Sequence, residues 1–170
     1  MFTQQTPQWA LLTRAVAIPT HVADEIRALR NDGYGNAVRE VVDREGGSPC
    51  RHCLRRSTPG ETMLLFSYRP FAQPSPYQEI GPVFLHAEPC TRHDEDDGIP
   101  DAFADRRLIL RAYDSNDDIV DVQRYAEPGE AESVARELLA DPAVAYIHVR
   151  SITRGCFLFR LDRSVTRELE

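Results

Sequence analysis

Cysteine and histidine recur in two short segments, Pro49-Cys50-Arg51-His52-Cys53 and His86-Ala87-Glu88-Pro89-Cys90-Thr91-Arg92-His93, on either side of a strand-rich stretch. Thiolate and imidazole are the ligands that suit a tetrahedral zinc ion, and two cysteines with two residues between them chelate from one tight turn. Cys50 and Cys53 have that spacing. The second pair is His86 with Cys90, or Cys90 with His93, because Pro89 to His93 echoes Pro49 to Cys53. The expected ligand set is Cys50, Cys53, His86 and Cys90, with His93 as the alternative to His86, and the expected ion is Zn2+. The 36 residues between Cys53 and Cys90 are about double the gap of a compact zinc module. The competing reading is of reduced, unligated thiols and surface histidines.

Other chemistry is weighed against this site. As a redox dithiol, Cys50 and Cys53 would gain from Arg51 and His52 beside the thiolate. Such a pair needs a preceding strand and a long helix opening at its first cysteine, and Thr58-Pro59-Gly60 interrupts the chain too soon. As a small thiol- or metal-dependent enzyme, the chain would use Cys50 as reactive thiol, His86 as acid or base and Arg69 as an anion clamp. Strand alternation puts Cys156 on the face of Leu158, as a small core residue. His148 on the neighbouring strand is read as a histidine with a satisfied hydrogen bond rather than as its activator. The run Asp94-Glu95-Asp96-Asp97 reads as a solvated loop. Asp114 to Asp118 lacks the glycine and the glutamate of a calcium loop, and Gly33-Tyr34-Gly35 lacks the third glycine of a dinucleotide fingerprint.

Composition narrows the classes. The 170 residues carry a net charge of -7, which argues against a nucleic-acid scaffold. All 20 basic residues are arginine, so lysine Schiff-base chemistry and nucleotide-phosphate lysines are excluded. No apolar run reaches the length of a membrane span. Met1 to Ala10 is polar and without a basic, apolar leader, so the expectation is a cytoplasmic protein with reduced thiols. A chain of this length buries about 70% of its unfolded surface and needs no metal to supply its core. The expected partner is a small molecule or a protein, with no nucleic acid and no membrane.

The elements that must position the site follow from periodicity. Trp9 to Ile18 is predicted as a strand, stopped by Pro19, with Thr20 as N-cap of a helix to about Arg30. Val38 to Val42 reads as a strand or a short helix, and Gly46-Gly47-Ser48-Pro49 delivers the chain to Cys50. Thr62 to Tyr68 and Val83 to His86 are strands, separated by a proline-punctuated excursion from Arg69 to Pro82 of the kind that often serves function. Tyr68, Phe71 and Tyr77 in that region could line a pocket for an anionic or aromatic molecule, with core packing the plainer role. Arg107 to Tyr113 and Ile119 to Tyr125 form a hairpin across Asp114-Asp118. Glu130 to Ala140 is an amphipathic helix, and Val144 to Val149 pairs with Cys156 to Leu161. The expectation is α+β: a single domain over residues 1–170, mostly antiparallel sheet with two main helices.

Pro49-Cys50-Arg51-His52-Cys53-Leu54, Pro59-Gly60-Glu61, Ser67-Tyr68-Arg69-Pro70-Phe71, Pro76-Tyr77, Gly81 to Cys90, Tyr146 to Arg150 and Gly155 to Arg160 together form a recognisable pattern. It resembles the bacterial domain of unknown function 1203 (DUF1203) family over nearly the whole chain. The resemblance implies no particular activity, substrate or cofactor. Two expectations stand beside it: a binding or regulatory domain with a structural zinc clasp, or an enzyme built on the Cys50/Cys53 and His86/Cys90 region.

Overall fold

The computed structural model describes residues 13–164. Its strands form two antiparallel sheets. A five-stranded sheet has the order β1-β8-β7-β5-β6, with β1 Thr13–Val16, β5 Leu108–Tyr113, β6 Arg124–Ala126, β7 Tyr146–Ser151 and β8 Phe157–Arg163. A three-stranded sheet joins β2 (Arg39–Asp43), β3 (Glu61–Tyr68) and β4 (Gly81–His86) in sequence order. Two main helices, α1 (Thr20–Leu29) and α3 (Ala131–Ala140), cover them, and a single turn, α2 (Asp101–Ala104), lies between. The α+β expectation holds.

Each sheet has its own core. Val134, Ala135, Leu138 and Leu139 recur at helical spacing along α3 and pack on Leu110, Ala112, Ile147, Val149, Phe159 and Leu161 of the larger sheet. Ala23 and Ile26 are the only buried residues of α1, and they cover Met63, Leu64, Val83 and Leu85 of the smaller sheet. Burial of these side chains, at about 25 cal/mol per Å² of apolar surface, is the main force holding helix to sheet. A third, smaller cluster of Phe71, Tyr113 and Tyr146 lies where the proline-rich loop crosses the larger sheet.

Several expectations are corrected. Thr20 is the first helical residue, and extended Pro19 is the N-cap, without a side-chain cap; proline's fixed φ suits the entry, and the Thr20 hydroxyl is used elsewhere. The ambiguous Val38 to Val42 segment resolves as strand over Arg39–Asp43, its register set by β3. The strand from Ile119 is broken: a lone Tyr113–Ile119 bridge precedes Asp121 at φ 61°, and pairing resumes only at Arg124. The acidic run forms a 3-10 turn over Glu95–Asp97 capped by Asp94. Glu95 pairs with Arg14 and Arg92, and Asp96 with Arg14, so the run is partly an ion-pair network. The part of the first predicted strand before Thr13 lies outside the described residues. Among the described residues, no helix is long and apolar enough to cross a membrane.

Candidate metal centre

The two glycines after β2 let the chain reverse, and Asp43 fastens the reversal by accepting from the Gly46 and Ser48 amides and the Ser57 hydroxyl at 3.0, 3.1 and 2.6 Å. The Cys50 amide then donates to the Arg55 carbonyl and the Leu54 amide to the Cys50 carbonyl, both at 3.0 Å, closing a knuckle around Arg51-His52-Cys53. Leu54 holds a left-handed φ of 54°, a conformation costing a leucine about 1–2 kcal/mol. Packing maintains it: the Leu54 side chain is buried in the core of the larger sheet, whereas Cys50 belongs to that of the smaller one. The knuckle is therefore pinned from both sides.

It docks along β4. The Arg51 amide donates to the Phe84 carbonyl at 2.9 Å, and the His86 amide points at Cys50 Sγ from 3.4 Å. His86 is the last residue of β4, opposite Met63 on β3, and Cys90 follows on a loop strapped down by the His93 amide, which donates to the His52 carbonyl at 3.0 Å. The ligand atoms of Cys50, Cys53, His86 and Cys90 consequently lie within 4.8 Å of one another. Cys50 Sγ is 3.9 Å from Cys90 Sγ, and Cys53 Sγ is 3.4 Å from His86 Nδ1. A tetrahedral zinc site with ordinary bond lengths has edges of about 3.8 Å between sulfurs and about 3.5 Å between sulfur and nitrogen. Those two edges match such a site.

Neighbouring groups hold these ligands in orientation. His86 offers Nδ1 to the cluster and turns Nε2 to Glu61 Oε2 at 3.3 Å, the carboxylate–histidine pairing usual behind a metal-bound imidazole. Glu61 is itself fixed by the Thr58 amide at 2.6 Å and by Arg55, and Arg55 foremost, then the amide, holds its carboxyl down to about 2. Cys90 Sγ accepts from Arg27 Nη2 at 3.3 Å and lies 3.1 Å from His52 Nδ1. His52 Nε2 lies 3.0 Å from the Thr20 hydroxyl, so a neutral ring accepting from Thr20 and donating to the sulfur satisfies both contacts. Burial first of all lowers the His52 pKa and keeps that ring neutral. Arg27 also donates to the His86 carbonyl at 3.1 Å. Its positive charge would offset the excess negative charge of three thiolates around a divalent ion.

The groups of the cluster also shift one another's protonation. Hydrogen bonds from the Cys53 and then the Cys90 thiol hold Cys50 far below the ordinary thiol range, against burial. Cys53, bonded to that thiolate, is held correspondingly high. His86 is pushed up to about 9 by its contacts with Cys50 and Cys90. A bound cation would displace these protons, which makes metal uptake proton-releasing.

Of the two histidines left open, His86 and not His93 lies in the cluster: His93 Nε2 is engaged with the Gly98 carbonyl at 2.9 Å. His52, Glu61 and Arg27 had no signal in the spacing of the sequence, although His52 stands inside the motif. Arg69 reaches Gln78 within its own loop, at 3.5 Å. Phe71 is core, Tyr77 is exposed, and Tyr68 packs against Phe157. Cys156 is not a core residue; it precedes β8, half-buried, because Gly155 at φ 71° turns the chain before the pleat begins. His148 is fully buried, yet neither ring nitrogen makes a well-formed hydrogen bond among the described residues, the Pro70 backbone giving only weak support, contrary to the sequence expectation. Phe71, Tyr113, Tyr146 and Phe157 box its ring.

A family model described as "Protein of unknown function (DUF1203)" matches residues 47–163, a span that contains the knuckle, all four ligands and Glu61. The chain belongs to the DUF1203 family. Arg27 and Thr20 of α1, which orient Cys90 directly and through His52, lie N-terminal to the matched span of this DUF1203 protein. No curated protein and no solved structure matches it.

Proposed function

We propose that this DUF1203 protein is a binding domain whose Cys50, Cys53, His86 and Cys90 hold a structural zinc ion. The observation that carries the reading is the convergence of three sulfurs and one imidazole nitrogen within 4.8 Å. Three thiolates and one imidazole form a full tetrahedral shell, and a shell closed by protein ligands leaves no position for a substrate or activated water. The ion would join the knuckle to the end of the β3–β4 hairpin, and through Arg27 it would secure α1. Its role would be to fix that corner of the fold. Cys50 as a nucleophile is disfavoured, because its side chain is fully buried among Met63, Leu64 and Leu85.

Metal analysis of protein purified without added zinc, together with thiol titration, tests this. One zinc per chain is expected, with Cys156 alone reacting freely until the protein is denatured with a chelator. Substoichiometric metal and four freely reactive thiols would overturn the reading.

A further inference from the structure

The knuckle that turns its sulfurs toward β4 turns Arg51 the other way, into a cleft of 740 Å³ between the two sheets. That volume lies within the range of small-molecule sites. Leu65 and Phe84 of the smaller sheet and Leu158 of the larger give it apolar walls. Arg51 is 3% exposed. It donates from Nε to the Phe157 carbonyl at 2.7 Å and from Nη1 to the Pro49 carbonyl at 2.6 Å. Arg56, on the same cleft, donates to the Ala102 and Gly47 carbonyls at 3.2 and 2.8 Å, with its guanidinium over the Phe103 ring. Neither forms an ion pair with a carboxylate among the described residues, and in both the bonds formed come from Nε and Nη1, leaving Nη2 without an acceptor among those residues. Arg106 and Arg154 border the cleft and are likewise without an ion pair among the described residues.

This concentration runs against the chain's net charge of -7. Of the two acids on the cleft, Asp43 has its carboxylate taken up by the Gly46, Ser48 and Ser57 donors, and Asp105 is exposed. Arg107, also on the cleft, is neutralised by Glu127. Carbonyl oxygens orient the Arg51 and Arg56 forks but bring no countercharge, and a guanidinium as buried as that of Arg51 is costly without one; half-buried Arg56 has, among the described residues, only exposed Asp105 nearby. Each fork is held rigid with one amino group unspent, the geometry that receives a carboxylate or phosphate.

We propose that the inter-sheet cleft binds a small amphipathic anion, its carboxylate or phosphate received by Arg51 and Arg56 and its apolar body lying against Leu65, Phe84 and Leu158. Arg154 and Arg106 at the border draw the anion in. The binding function left unspecified above thereby acquires a ligand class, and the cleft is formed by residues that are not metal ligands.

The test titrates the zinc-loaded full chain with phenyl phosphate, benzoate and the uncharged benzyl alcohol, followed by calorimetry and amide chemical shifts. Saturable binding of at least one anion and none of the alcohol is expected, and the stronger of the two anions identifies the headgroup. Arg56→Gln should weaken binding at least about tenfold, as losing a charge-assisted hydrogen bond does. Arg51→Lys should weaken it comparably, and Arg154→Gln less, whereas Arg124→Gln, paired with Glu137 elsewhere, should leave it unchanged. Metal content is measured on every variant, so failure of the clasp and failure of the cleft read out separately. The proposal is overturned if neither anion binds up to about 10 mM, if benzyl alcohol binds as tightly, or if Arg56→Gln and Arg154→Gln, folded and metal-loaded, bind like the parent.

Discussion

Replacing His148 by phenylalanine should flatten the loss of stability on mild acidification. The ring is fully buried within four aromatic rings, and burial first, then Arg150, Arg160 and Arg111, push its pKa down to about 3. In the unfolded chain the same imidazole titrates near 6.5. Between those two values the unfolded state binds a proton that the folded state refuses, so stability falls as pH drops through 6.5 and continues falling toward 3. At pH 5 the gap is about 1.5 pH units of linkage, or about 2 kcal/mol relative to neutral pH. Phenylalanine keeps the aromatic contacts and removes both poorly bonded nitrogens. Urea unfolding of parent and variant at pH 7 and pH 5 measures the difference directly, and the Cys50/Cys53/His86/Cys90 cluster, common to both proteins, cancels from the comparison. The variant should lose about 2 kcal/mol less than the parent over that interval. Parallel losses in the two proteins would refute the claim that His148 is held neutral in the fold.

Glu61→Gln should lower metal affinity by about 10–100-fold while leaving four ligands in place, since it weakens the acceptor behind His86; competition with a chromophoric chelator reads this, and an unchanged affinity would mean Glu61 does not orient the imidazole. Stripping the metal should lower the thermal midpoint by about 10 °C, the mass-action effect of removing a ligand present at about a thousandfold excess over its Kd; calorimetry before and after zinc is restored shows whether the change reverses. Gly46→Ala should cost more than about 2 kcal/mol, and Gly47→Ala about 1 kcal/mol. Both glycines have positive φ, but a Cβ at Gly46 would meet the Pro59 nitrogen at 2.9 Å and the Ser57 carbonyl oxygen at 3.0 Å, whereas at Gly47 it meets nothing within 4 Å. Equal urea midpoints for these two variants would contradict the close approach of the two backbones.

The wide gap between the cysteine segments, awkward for a compact zinc module when read along the chain, has a simple spatial cause. Glu61 opens β3 and His86 closes β4, so both lie at one end of a hairpin whose length, including the proline-rich loop at its far end, does not alter where they meet. Sequence separation measures the path, and antiparallel pairing cancels it. His52 shows the opposite situation: it sits inside the motif as one more candidate ligand, but burial and the Thr20 hydroxyl make it a donor to Cys90 instead. Cys156 and the strand from Ile119 went astray for a local reason, because positive φ at Gly155 and Asp121 interrupts alternation that the residue types alone suggest.

From the chain alone came the ligand types, the helices at Thr20 and Glu130, most of the strands and the α+β class, all of which depend on spacing between near neighbours, where helical and pleated periods act directly. Tertiary structure decided which imidazole faces the sulfurs, which carboxylate stands behind it, and where Arg51 goes. Those choices depend on groups brought together from Thr20, Arg27, Glu61 and Phe157, and only the packing of two sheets against one knuckle puts such distant residues within hydrogen-bonding reach.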